Sequence, residues 1–123
     1  MERTNTDHIA AAKAAYGNPQ MSDRELGERL GGFSQQSIGH AKAGNMSDHI
    51  AVSIGKLLEE TQGIDAGIVV LVARALREKN EEVRNVMMRF AGKTQALMAK
   101  EAAQAEAFAA MRAGDNQSGL CIM

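Results

Sequence analysis

The chain has 123 residues, 45% of them hydrophobic, and a formal net charge of −1 at pH 7. That length supports one compact domain plus an appendage, and the apolar fraction supports a packed core. With no Trp and 3% aromatics the core must be aliphatic, and the near-neutral charge excludes the basic excess of a general nucleic-acid binder.

The elements follow legibly in order, and all of them read as helices. Thr6 or Asp7 can cap a first helix carrying Ile9, Ala12 and Tyr16 on one side; Gly17 and the turn signal Asn18-Pro19 follow. Ser22-Asp23-Arg24-Glu25 has the form of a capping box and opens a second helix with Leu26 and Leu30 inward, closed by Gly31-Gly32. Ser34 caps a third helix through Ala43, with Gly44 as its stop. Ser47 caps a fourth, where Ile50, Ile54, Leu57 and Leu58 stand at helical spacing before Gly63. Asp65 caps a fifth with Ile68, Val69, Leu71, Val72 and Leu76 as its apolar surface. Asn80 caps the last, with Glu81 and Glu82 in the first turn, where the helix dipole favours acids. Apolar residues then recur every three or four positions from Val83 to Met111.

These elements predict an all-α protein. Residues 6–79 form an N-terminal helix-turn-helix domain of about five helices, with Leu26, Leu30, Ile38, Ile54, Leu57 and Leu58 in its core. Residues 80–112 form a long amphipathic helix, roughly 48 Å at 1.5 Å per residue, and residues 113–123 a disordered tail. The single Cys121 excludes an intrachain disulfide, and the polar start from Met1 to Asn5 does not read as a secretory signal. No apolar run approaches the roughly 20 residues of a membrane span. A cytoplasmic protein with no membrane association is the expectation.

Function concentrates between Asp23 and Gly44. Two short helices flank a Gly-containing turn, which is the plan of a DNA-binding helix-turn-helix. Steep crossing requires small or aliphatic residues at the contact, and Leu26, Gly27, Leu30, Phe33, Ile38 and Ala41 supply them. Gly27 in particular would let the two helices approach. The outer face of the second helix then holds Gln35, Gln36, Ser37, Gly39, His40 and Lys42. Gln can bond an adenine edge bidentately and Ser can bond several bases, so Gln35, Gln36, Ser37 and His40 are the candidate base contacts. Ser34 and Lys42 are the candidate phosphate contacts. The competing reading of Gln35 and Gln36 is a solvated helix surface.

Ser34-Gln35-Gln36-Ser37-Ile38, closing at Gly44, resembles the recognition helix of lambdoid phage repressor and Cro proteins. The stretch from Tyr16 to Ala91 is similar to a family of small helix-turn-helix proteins of bacterial genomes and filamentous phages. The likeness rests on Tyr16-Gly17, Glu28-Arg29-Leu30-Gly31, Ser47-Asp48, Gly63-Ile64-Asp65 and the charged joint from Ala75 to Arg84. It implies a transcription regulator binding a double-stranded DNA operator. Two departures stand out. Gly32-Phe33 lengthens the turn by one residue, and Ala41-Lys42-Ala43 replaces an aromatic and two basic residues, which implies fewer phosphate contacts and weaker DNA affinity.

Nothing in the sequence points to catalysis or a cofactor. His8, His40 and His49 show no metal-ligand spacing, and no phosphate loop or nucleophile elbow is present. His8 and His49 read as exposed first-turn residues. Arg74, Arg77, Lys79, Arg84, Arg89, Lys93 and Lys100 make the later helices locally basic, either as a solvated face or as a secondary surface for the DNA backbone or an anionic partner. The last helix is expected to self-associate through Phe90, Leu97, Met98, Phe108 and Met111, giving a homodimer suited to paired half-sites; the competing reading is a helix that breaks near Gly92 and folds back, or frays among its Ala residues. The rival to a DNA-binding regulator is a protein-interaction module, or an antitoxin-like protein, that uses this helix to hold a partner.

Overall fold

A computed structural model describes residues 4–122, with side chains through residue 112. The described chain folds into helices, with no strand: α1 (Asn5–Ala15), α2 (Asp23–Gly31), α3 (Gln35–Lys42), α4 (Asp48–Gln62), α5 (Ala66–Arg77) and α6 (Glu81–Ile122). The expected all-α architecture, an N-terminal group of five helices followed by one long helix, is what forms. Among the described residues no helix is long and apolar enough to cross a membrane. The backbone of residues 113–122 is assigned to α6; the expectation of a disordered tail lies outside the residues whose side chains are described.

Caps decide where these helices begin. Ser22, Ser34 and Ser47 each accept a hydrogen bond from the backbone N–H three residues on, at 3.2, 3.1 and 3.3 Å. Asp65 accepts from the N–H of Gly67 at 2.7 Å, and Asn80 from that of Val83 at 3.0 Å. Each bond satisfies a first-turn donor that has no partner inside the helix.

The first helix starts earlier than its sequence predicts. Thr4, rather than Thr6 or Asp7, is the cap, and Asp7 returns the bond by accepting from the N–H of Thr4 at 2.8 Å. The buried side of α1 is therefore Asn5, His8, Ile9 and Ala12, at i, i+3, i+4 and i+7. His8 is fully buried, not exposed as expected, because it shares the stripe of Ile9 and Ala12; His49 is exposed.

The chain divides into two compact units, one running through Gly92 and the other beginning at Lys93. The core of the first unit joins Ile9 and Ala12 of α1, Leu26 of α2, Ile38 and Ala41 of α3, Ile54 and Leu58 of α4, and Val69 of α5. Leu26, Ile38, Ile54 and Leu58 are fully buried, whereas Leu30 and Leu57 pack against the cluster while keeping part of their surface in water. Met21 and Met46 also belong to the core although both lie in connections between helices. Ile68, Val72 and Ala75 of α5 form a second cluster with Met88 and Ala91 of α6. That packing carries the first unit past the expected boundary at 79/80 and into the last helix.

Candidate nucleic-acid interface

The turn between α2 and α3 is built on Gly27. The N–H groups of Gly32 and Phe33 both donate to the Gly27 carbonyl, at 3.1 and 2.9 Å, closing α2 with Gly32 in the left-handed region at φ +87°. A Cβ on Gly27 would stand 2.2 Å from the Phe33 carbonyl oxygen and 3.5 Å from Cγ1 of Ile38. The small residue was expected to admit a neighbouring helix; what it chiefly admits is the backbone of the turn. Phe33, in the turn, packs half-buried against the core and so helps to hold the turn down.

That turn sets the orientation of α3. Ile38 and Ala41 point into the core and are fully buried. Gln35, Gln36, Gly39, His40 and Lys42 are exposed, and α3 carries no acidic residue. Ser34 is exposed, and its hydroxyl is committed to the cap; it also bonds the half-buried Ser37 hydroxyl at 2.9 Å. The predicted base-contact residues Gln35, Gln36 and His40 thus share a solvent-facing helix surface, with Ser37 beside it.

Polar contacts fix the far end of α3. Asn5 Nδ2 of α1 donates to the Ala41 carbonyl at 3.2 Å, from a fully buried position. Lys42 Nζ lies 2.7 Å from Oδ1 of Asp23, and Lys13 Nζ of α1 lies 2.9 Å from the same oxygen. Burial pushes the Asp23 carboxyl up, but hydrogen bonds from Lys42 and Lys13, together with their charges, outweigh it and hold the group below its ordinary value. Lys42 is therefore an internal tie between α3 and the start of α2 as well as a surface cation.

A cleft of about 270 Å³ opens beside this surface, lined by Phe33, Ser37, His40, Asn45, Ser47, Ile50 and Arg77. It brings the two predicted base contacts Ser37 and His40 together with Asn45, with the helix cap Ser47 and with Arg77, one of the basic residues expected on a secondary anionic surface. Arg77 is also placed by Asp48, which accepts from Arg77 Nη2 at 2.7 Å and from Arg74 Nη2 at 3.1 Å. Hydrogen bonding from Arg74 leads the effects that hold the Asp48 carboxyl below its usual range, and Asp48 in turn raises the Arg74 guanidinium. Helical periodicity could not reveal these contacts, because they join residues more than 20 positions apart in sequence.

The residues expected to mediate self-association are exposed. Phe90 keeps 62% of its surface, Leu97 56% and Met111 66%, with Met98 and Phe108 also open. Arg112 covers the Phe108 ring at 4.9 Å. In the first unit Val83 and Val86 are exposed as well.

No family model, no curated protein and no solved structure matches this chain.

Proposed function

We propose that this protein binds double-stranded DNA with sequence preference through α3 and acts, as a homodimer, as a transcription regulator of the phage-repressor type. The observation that carries this reading is the division of α3 into two faces. Its inner face is locked by Ile38 and Ala41, while its outer face offers Gln35, Gln36 and His40 to solvent on a helix without acids. A helix fixed in this way loses little freedom on docking into a major groove, and each well-placed Gln contributes roughly 1–3 kcal/mol of base discrimination.

Phosphate contact falls on few groups. Lys42 shares its charge with Asp23, so its attraction for phosphate is reduced. Asn45, Ser47 and Arg77, grouped at the cleft beside His40, supply the remaining contacts, with the charge of Arg77 shared in the same way with Asp48. The reading is of binding without catalysis, and with no cofactor.

Selection from a randomised pool of DNA duplexes at about 50 mM salt tests the proposal. It expects enrichment of one sequence with related half-sites. A pool that stays random, with no retention of duplex on the full chain, contradicts it. The exposed apolar residues of α6 favour a second reading, a protein-interaction module; total absence of DNA binding at low salt is the outcome that would support it.

A further inference from the structure

We infer that two copies of this chain pair through α6 in antiparallel orientation, centred on Leu97. The inference specifies the homodimer of the proposed function and does not depend on DNA binding.

Val86, Leu97 and Phe108 recur every eleven residues, which is three helical turns, and all three are exposed. Phe90 falls on the same line, and Val83 and Met111 flank it on opposite sides; all three are exposed too. Large apolar side chains left uncovered in this way are ones that monomeric soluble proteins rarely keep. An eleven-residue period is close to that of an undistorted α-helix, so partners lie along it with little supercoiling.

The stripe is self-complementary in one direction. When two copies run antiparallel about Leu97, Val86 comes level with Phe108 of the second copy, and Val83 with Met111. A small residue meets a large one where Val86 faces Phe108. The two ionisable residues that interrupt the stripe, Lys93 and Glu101, come level with each other. In a parallel, in-register pair Lys93 would face Lys93 and Glu101 would face Glu101, and like charges opposed across an apolar seam are unfavourable. Charge complementarity therefore selects the antiparallel arrangement and a second copy as its occupant.

The test is the mass of the full chain by light scattering and equilibrium sedimentation, without DNA. A dimer at micromolar concentration is expected, and Leu97→Asp should yield a monomer whose thermal unfolding in the first unit is unchanged. Lys93→Glu alone should weaken the dimer about tenfold, and Lys93→Glu with Glu101→Lys should restore it. Orientation is read in a Cys121→Ser background. Oxidation should link a Val86→Cys, Phe108→Cys double variant into dimers and leave Val86→Cys alone unlinked. A wild-type chain that is monomeric at about 100 times that concentration overturns the inference. So does cross-linking of Val86→Cys alone, or a charge exchange that fails to restore what Lys93→Glu removes.

Discussion

Lys42 at the end of α3 and Asp23 at the start of α2 are joined by an ion pair of 2.7 Å. The same carboxylate holds Lys13 of α1, so one acid ties three helices together. Asp23→Asn keeps the shape of the side chain and removes its charge. It should lower stability by about 1 kcal/mol, more than an isolated surface pair contributes, because two cations lose their partner together. Urea unfolding of the two proteins measures this, and an unchanged midpoint would show that the network holds nothing.

Acid should loosen the same joint. Asp23 and Asp48 both titrate below their ordinary value in the folded chain. Groups depressed in this way contribute stability above their unfolded pKa, about 3.9, and lose it as pH falls through the lower folded values. Their contribution should therefore be level from pH 5 to 8 and decline below about pH 4. Below about pH 4, urea midpoints should fall less steeply in Asp23→Asn than in the wild type.

Gly27→Ala sets two effects against each other. Alanine favours a helix interior by about 1 kcal/mol. The new methyl would sit 2.2 Å from the Phe33 carbonyl oxygen, which belongs to the backbone and cannot turn aside. Overpacking of this kind costs about 3 kcal/mol, so the variant should be less stable by about 2 kcal/mol and should lose DNA affinity as α3 shifts. A more stable Gly27→Ala would mean that the turn is placed differently.

Core truncation should follow burial. Leu26 is fully buried, and Leu26→Ala should cost about 2–5 kcal/mol. Leu30 is only partly buried, so Leu30→Ala should cost less, about 1–2 kcal/mol. Equal losses in calorimetry would contradict the packing of α2.

Much of this architecture was legible because serine and asparagine caps announce helix starts locally. Ser22, Ser34, Ser47 and Asn80 each bond the donor that their spacing predicts. The first helix starts earlier than its sequence predicts because Thr4 and Thr6 are both competent caps, and it is Thr4 whose N–H donates to the Asp7 carboxylate and completes a capping box. The exposed surface of α3 followed from periodicity, with Ile38 and Ala41 inward and the Gln pair outward. What periodicity misses is tertiary: the buried methionines of the connections, the reach of Asn5 to Ala41, and the gathering of Asn45, Ser47 and Arg77 beside His40. Each depends on chain segments brought together only by the fold.

Base readout by α3 is tested most directly by comparing wild type and Gln36→Ala by fluorescence anisotropy, on the selected duplex and on a scrambled one, across a salt series. A loss of roughly 1–3 kcal/mol is expected on the selected duplex and little change on the scrambled one. The salt dependence should stay the same in both, because Gln36 carries no charge. Equal losses on the two duplexes, or no binding to either at low salt, would contradict base readout by α3.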